Sequence, residues 1–258
     1  MKKLNVLIAG STGYIGIQLI KLLLKHQNID IKYLCGSSSV GKNISFFDKN
    51  LKNKNLPKII KFKKKLLENI DVVFSALPNG EAQILSNYLN KKNILIDLSA
   101  DFRLSNTKTY KKYYKVLHKA KDKIKNSIYS IPEFTKKKVK KFKIISCPGC
   151  YPTSILLPLI PLLKARMILS NVIADSKSGY SGAGRSIHKK YENKNLYESL
   201  SAYGLAIHRH NSEIDQQINK FYKGKFNLTF TPHLSPMFRG ILTTIYFDIP
   251  KGKNLSLI

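Results

Sequence analysis

The sequence predicts an α/β protein in which a doubly wound parallel sheet is followed by a smaller α+β domain. Short, nearly continuous apolar runs recur at 4–9, 31–35, 72–76, 94–98 and 143–146, the pattern of strands buried on both faces. Helical stretches at 17–25 and 80–90 lie among them, and strands alternating with helices build parallel sheets. After Cys150 the texture changes to an apolar helix over 153–164, a polar helix over 211–222 and strand-like runs at 171–176, 226–231 and 241–249. A chain of 258 residues with 43% hydrophobic content is long enough for two domains with cores of their own. The boundary is expected near 148–152, with one domain over 1–149 and a second over 150–258.

Residues 4–9 read as a buried first strand rather than a signal peptide. Asn5 interrupts the apolar run, and a glycine-patterned turn stands where a small-residue cleavage site would lie. The Lys- and Asn-rich stretch 48–65 reads as surface loop with an edge strand, and Lys108–Lys125 as a basic amphipathic helix or irregular cover. Pro158 and Pro161 should kink the helix over 153–164 or break it into short turns. No apolar run approaches the ~20 residues that span a bilayer. Three cysteines, an odd number with two close together, do not form a secreted disulfide framework, so a cytoplasmic protein without membrane attachment is expected.

The formal charge of +30 invites a nucleic-acid reading. Its makeup argues against one: of 45 basic residues only five are arginine, the side chain whose planar fork and stacking suit base and phosphate recognition. Lysine is instead scattered over every segment. Nonspecific adhesion at low salt is expected and specific nucleic-acid binding is not.

Gly10-Ser11-Thr12-Gly13-Tyr14-Ile15-Gly16 follows the first strand and opens a helix, the context in which a glycine pattern signals dinucleotide binding on a Rossmann sheet. The first two glycines allow a tight turn and close approach of a pyrophosphate. The third lets the helix pack on the strand, and the helix N-terminus faces the phosphates. An NAD site would place an acid at the end of the second strand. Here Ser37, Ser38 and Ser39 stand there with Lys42 nearby, hydroxyls and a cation that suit the 2′-phosphate of NADP.

Cys150 opens the predicted helix of the second domain, with Pro152 at an early helical position. A thiol there feels the helix dipole, which favours the nucleophilic thiolate; a structural cysteine is the alternative. Cys147-x-x-Cys150 also permits a redox pair, but no second pair or clustered histidines complete a zinc site. His208-Arg209-His210 followed by Glu213 sets two imidazoles and a carboxylate at a helix entrance, a source of a general acid or base with an orienting partner. His233 reads as structural. The glycine- and serine-rich segment 177–185 is a ligand loop or a flexible connection.

Read together, the blocks GSTGYIG (10–16), ALPNG (76–80), DLSADFRL (97–104), IPEF (131–134), PGCYPT (148–153), KSGYSGAGR (177–185), HRHNSEI (208–214) and TPHLSPMFRGILTTIY (231–246) resemble the N-acetyl-gamma-glutamyl-phosphate reductases, within the wider group of aspartate-semialdehyde dehydrogenases. The resemblance implies a Rossmann domain holding NADPH and an α+β domain for substrate and subunit association, as a homodimer or homotetramer. It implies that Cys150 attacks the acyl phosphate of N-acetylglutamyl phosphate and that hydride from NADPH yields the semialdehyde, a step of arginine biosynthesis. His208 or His210, steadied by Glu213, would manage protons. Ser99, Arg103 and Arg185 would meet the substrate, while Pro78, Ser181 and Gly182 would join the glycine turn at the cofactor. The alternative for Ser99 and Arg103 is a helix cap with a surface ion pair.

Three departures accompany the resemblance. Cys147 stands where the family usually has Asn, so a Cys147–Cys150 disulfide that inactivates the enzyme is a further expectation. Asn211-Ser212 replaces a common proline. The family also continues beyond the last strand, so the second domain is expected to be incomplete, with an uncovered sheet edge and a deficient cofactor pocket. An inactive remnant retaining at most nucleotide binding is therefore the alternative function.

Overall fold

The computed structural model describes residues 2–168, 170–185, 198–222, 224 and 226–253, and its contacts divide the chain into two units, Met1–Pro148 and Gly149–Ile258. The first unit contains β1 (Leu4–Ala9), α1 (Tyr14–Leu23), β2 (Ile29–Cys35), β3 (Ile59–Ile60), β4 (Val72–Ser75) and α2 (Glu81–Ser86). It continues with β5 (Ile94–Asp97), α3 (Thr107–Tyr114), β6 (Ser127–Tyr129), α4 (Pro132–Thr135) and β7 (Ile144–Ser146). Its seven strands form one sheet in the order β3-β2-β1-β4-β5-β7-β6, and every neighbouring pair is parallel.

The continuous apolar character of β1 follows from its place in the middle. Leu7 and Ala9 pack with Val73, Leu95 and Ile144 on one face; Val6 and Ile8 pack with Ile17, Ile20, Leu34 and Ile59 on the other. The chain winds outward from β1 in one direction and resumes at β4 in the other, so the strand order reverses between β1 and β4. The crevice outside the carboxyl ends of such strands is where open parallel sheets bind ligands.

The interval 107–126 is only partly helical. Asn106 caps α3 by accepting from the N–H groups of Lys108 and Thr109, buried Tyr110 anchors the helix, and Lys115 ends it with φ of 61°. Strand β6 has no counterpart among the apolar runs. Its three residues are half-buried at the sheet edge, and pairing with β7 supplies the order that local pattern does not.

The second unit contains α5 (Cys150–Lys164), β8 (Asn171–Gly179), β9 (Ser201–Ala202), α6 (His210–Phe221), β10 (Asn227–Ser235) and β11 (Ile241–Phe247). Its sheet has the order β11-β8-β10-β9, with β8 and β10 parallel and both outer pairs antiparallel. The expected break in α5 does not occur: the helix runs through Pro158 and Pro161. Both prolines lie on its exposed side, where the carbonyls that lose a donor can turn to water and the helix can bow. Ile155, Leu156, Leu159, Ile160 and Leu163 remain buried. The helices cover one face of the sheet: Thr243 of β11 donates to Ser154 of α5 at 2.8 Å. The opposite face carries Ile173, Asp175, Lys177, His233, Leu242 and Tyr246, which the strand register sets side by side. Among the described residues no helix is long and apolar enough to cross a membrane.

A Cβ at Gly16 would lie 2.4 Å from the Gly10 carbonyl oxygen, whereas one at Gly13 would meet its nearest atom at 3.6 Å. Gly16→Ala is therefore expected to lower stability by about 1–3 kcal/mol, and Gly13→Ala by much less, as urea unfolding of the two variants would show.

Candidate active site

In the first unit the turn after β1 is built backbone against backbone. Gly10 has φ of +80°, and a Cβ there would stand 2.4 Å from the Ala76 carbonyl oxygen. The N–H groups of Gly10 and Ser11 both donate to the Cys35 carbonyl at the end of β2. Ser11 is buried and its hydroxyl also donates to that carbonyl at 3.1 Å, so its side chain secures the turn. Thr12 and Tyr14 are half-buried and Ile15 is exposed. Gly13 is the N-cap of α1, with no side-chain cap and no acid in the first turn.

Packing within the protein demands Gly10 and Gly16, but it leaves the space over Gly13 open. A phosphate can approach the backbone there and meet the N–H groups that a helix start leaves unpaired. At the end of β2, Ser37 and Ser38 are exposed and Ser39 is buried. The Lys42 ammonium lies 4.3 Å from the Phe46 ring centroid. With no carboxylate in Gly36-Ser37-Ser38-Ser39 to repel it, a 2′-phosphate suits this end of the turn. The residues present thus fit NADP.

Two buried charges fix the loops beside the turn. The Asp101 carboxylate accepts from Gly80 N at 2.7 and 2.9 Å, from Ala82 N and Gln83 N, and from the Tyr110 hydroxyl at 2.7 Å. It caps α2 and holds the loop that exposes Pro78. Arg103 donates from Nε to the Cys147 carbonyl at 2.9 Å and from Nη2 to the Leu98 carbonyl at 3.1 Å. Ser99 Oγ accepts from Asp101 N. The structure therefore gives Ser99 and Arg103 internal partners, and neither is the helix cap or the surface ion pair of the alternative reading. Burial, with the Asp97 charge second, pushes the Cys147 thiol up to about 11, which makes it a poor source of thiolate. All three cysteines are free thiols.

In the second unit Cys150 is the first residue of α5, after N-cap Gly149, and it is exposed. Glu213, wholly buried on α6, accepts from Gly149 N at 2.7 Å through Oε1. That bond joins the start of α5 to α6, whose first residue is His210. His210 is buried one turn before Glu213.

His208 is placed differently. Its Nδ1 accepts from His210 N at 3.2 Å, in place of an N-cap side chain. Its ring meets Tyr151, Tyr203, His210 and Phe230 edge to face, with centroids 4.8–5.6 Å apart. Burial, with the Arg209 charge second, pushes its pKa down to about 4. Tyr151 anchors this group: its hydroxyl pairs with that of Tyr203 at 3.0 Å and donates to the His233 carbonyl at 3.3 Å.

The segment 177–185 is a braced loop. Gly179 N, Tyr180 N and Ser181 N donate to the carbonyls of Gly240, Met237 and Phe238, and a Cβ at Gly179 would lie 2.8 Å from Phe238. Gly182 has only ordinary contacts, Gly184 has open space at φ of +86°, and Arg185 is exposed. His233 lies on the open sheet face, its Nδ1 3.0 Å from Asp175 Oδ1.

Sequence reasoning missed Asp101, Tyr151 and Tyr203. The first stands inside the DLSADFRL block and the second follows Cys150, so both lay in view. Their partners are too distant in sequence for spacing to reveal.

Fold and geometry together define a two-domain semialdehyde dehydrogenase: residues 5–142 match the NAD binding domain of that family and residues 150–257 its dimerisation domain. The aspartate semialdehyde dehydrogenase II of Vibrio cholerae, solved in complex with ASA, superimposes with a TM-score of 0.69 at 15% identity, covering 96% of this chain and 75% of that one. The enzyme of Candida albicans, solved with NADP, gives 0.66 at 15% identity over 98% and 73%. At such identity the likeness is one of fold. Sequence is more specific. The N-acetyl-gamma-glutamyl-phosphate reductase of Brachyspira hyodysenteriae is 44% identical over 263 residues, 98% of this chain and 74% of the relative. That of Campylobacter jejuni is 42% identical over 257 residues, 96% and 72%. The chain belongs to the N-acetyl-gamma-glutamyl-phosphate reductase family.

The depressed pKa of His208 has a thermodynamic consequence. The unfolded chain binds the proton near pH 6.5 and the folded chain only near 4, so this group's contribution is complete above about pH 6.5 and is lost as pH falls towards 4. His208→Asn keeps an acceptor for His210 N but does not titrate. Urea denaturation from pH 7 to 4 should show the natural chain losing about 1–3 kcal/mol more than the variant.

Proposed function

We propose that the chain catalyses the NADPH-dependent reduction of N-acetyl-gamma-glutamyl phosphate to N-acetylglutamate 5-semialdehyde and phosphate, a step of arginine biosynthesis in the cytoplasm. The observation that carries this reading is the exposed Cys150 thiol at the start of a 15-residue helix, tied through Glu213 to the helix that opens with His210.

Cys150 gives up its proton and its sulfur attacks the acyl carbon. The carbon–oxygen bond to phosphate breaks, leaving a thioester. NADPH, held at the glycine turn of the first unit, would supply the hydride that this carbon needs. The resulting thiohemiacetal releases the aldehyde, and the sulfur returns as thiolate. His210 takes and returns the proton; His208, held neutral and with Nδ1 engaged, positions the start of α6. The bond from Gly149 N fixes the Glu213 carboxylate and through it the approach of α6 to the nucleophile. The backbone at Gly13 would admit the pyrophosphate, Gly10 and Gly16 hold the turn that presents it, and Ser37, Ser38 and Lys42 would meet the 2′-phosphate. Pro78, exposed on its loop, would border the nicotinamide. Arg185 is the exposed guanidinium for the substrate phosphate, while Ser99 and Arg103 shape their own loop in the first unit.

Phosphate-dependent reduction of NADP⁺ by N-acetylglutamate semialdehyde tests this reading directly. Cys150→Ser should lower the rate by at least about 10³-fold and His210→Asn by about 10²–10⁴-fold, whereas His208→Asn should cost less than His210→Asn. Absence of activity in the folded natural chain would overturn the proposal.

The open face of the second sheet is the natural seat of a second copy. It presents exposed Ile173, Leu242 and Tyr246 around the Asp175, Lys177 and His233 group, and it lies within the segment matching a dimerisation domain. Sedimentation should find a homodimer, and Leu242→Asp should shift it towards monomer; a monomeric natural chain would remove this assignment.

A further inference from the structure

The loop that leaves β2 is fastened to the sheet it has just left. Gly36 N donates to the Ile60 carbonyl, Gly41 N to the Ile59 carbonyl and Ile59 N to the Lys42 carbonyl. Lys42 N donates in turn to the Ser39 carbonyl, closing the loop over buried Ser39. The same loop borders the glycine turn: the Cys35 carbonyl accepts from Gly10 N and Ser11 N, and a Cβ at Gly36 would lie 4.0 Å from Thr12 Cγ2. Ser37, Ser38 and Lys42 stand exposed on it. The backbone of Lys42 is therefore fixed at both its amide and its carbonyl.

The Lys42 side chain is held as well. Phe46 closes a short turn, 44–46, whose Ile44 is buried in the core with Leu51 and Ile59. Phe47 packs against that core and meets the Phe46 ring edge to face, with centroids 5.2 Å apart. Phe46 itself is exposed, and over its ring the Lys42 ammonium stands 4.3 Å from the centroid, within the ~6 Å reach of cation–π attraction. Among the described residues Lys42 makes no ion pair. Asp48, the carboxylate nearest to it along the chain, takes Lys21 at 2.5 Å and accepts from Asn50 N at 3.0 Å.

We propose that Phe46 is a positioning residue for cofactor specificity: its ring face holds the Lys42 ammonium beside Ser37 and Ser38, and so favours NADPH over NADH. The proposal rests on the reading that the 2′-phosphate lies at the end of β2, and not on the reaction that follows.

NADPH and NADH differ only in the 2′-phosphate, and a doubly wound sheet reads that position at the end of its second strand. A cation there discriminates best when it is both charged and in place. Lysine alone is a strongly hydrated point charge on a flexible stem, and ordering such a stem costs rotamer entropy. A carboxylate partner would order it but would cancel its charge and repel the phosphate. A ring face orders the ammonium and leaves the charge intact. Phe47 and the buried Ile44 keep that face in place, so the loop carries an ordered cation with no acid against it.

Titration of the full chain with NADPH and with NADH, followed by the fluorescence of the reduced nicotinamide, tests this without recourse to turnover. The natural chain should bind NADPH more tightly than NADH. Phe46→Leu keeps an apolar side chain and removes the ring face; it should weaken NADPH about two- to fivefold and leave NADH unchanged. Phe46→Tyr, which restores the face, should keep the natural preference. In a chain already carrying Lys42→Met, Phe46→Leu should have no further effect on NADPH, because the two side chains act as one unit. Equal weakening of both cofactors by Phe46→Leu would mean that the ring serves the shared part of the cofactor or the fold, and would overturn the proposal. An unchanged NADPH affinity would overturn it too. Failure of the natural chain to bind either cofactor would remove the cofactor site itself and the proposal with it. A chain that binds as expected but does not turn over would sink the reductase reading alone.

Discussion

Between β1 and β4 the backbone of Gly10 lies so close to the chain after Ser75 that no side chain fits; a Cβ would stand 2.4 Å from the Ala76 carbonyl oxygen. Much of the first unit follows from that approach. Parallel pairing of β1 with β4 from Val6 to Ala9 carries the two chains to it, and the carbonyl of Cys35 receives both Gly10 N and Ser11 N from the other side. The turn is clamped between the ends of β2 and β4, so α1 begins at a fixed place with its N-terminus uncapped. A loose turn would let the helix start wander by more than the tolerance of a phosphate contact. Steric exclusion thus preorganises the helix start that we propose for the cofactor phosphates.

In the second unit the same economy appears in two histidines two residues apart at a helix entrance. His208 and His210 share a residue type and differ in surroundings. Aromatic rings enclose His208, its Nδ1 is engaged by backbone, and burial keeps it neutral. His210 lies on the helix that carries Glu213, whose carboxylate grips the amide before Cys150. A histidine that cannot take a proton near neutral pH is a poor acid or base and a good wedge. Environment, more than composition, therefore separates the positioning residue from the one assigned to proton transfer.

How much of this was legible in the sequence depends on the distance over which each cause acts. Strand–turn–helix order, the glycine turn and the placement of Cys150 at a helix start are set within a dozen residues, and alternating texture conveyed them. The different surroundings of His208 and His210 were not legible, because Tyr151 and Phe230 enclose His208 from distant positions. The bond from Glu213 to Gly149 links residues 64 apart in the chain, which no spacing rule anticipates. Pro158 and Pro161 misled for a different reason. Local propensity penalises proline inside a helix, but it does not record that both face outward while five neighbours bury the other side. Strand β6 was invisible because three half-buried residues have no period to detect.

The charge distribution completes the argument. A chain with 45 basic residues against 15 acidic ones has every reason to place its few carboxylates on the surface, opposite lysines. Instead, the buried acidic and basic side chains among the described residues include Asp97, Asp101, Glu213 and Arg103, and no lysine. Each of the four holds backbone within its own unit: Asp97 takes Ser99 N, Asp101 takes Gly80 N, Glu213 takes Gly149 N, and Arg103 gives to the carbonyls of Leu98 and Cys147. Charge-assisted bonds to backbone are about twice as strong as neutral ones, and in a dry interior removal of either partner is costly. The lysine excess therefore lies on a solvated exterior where it can vary freely. The buried charges cannot vary in the same way, since each satisfies amides or carbonyls of the backbone. Net charge accordingly says little about what this protein binds, and the placement of four buried side chains says a great deal about where it acts.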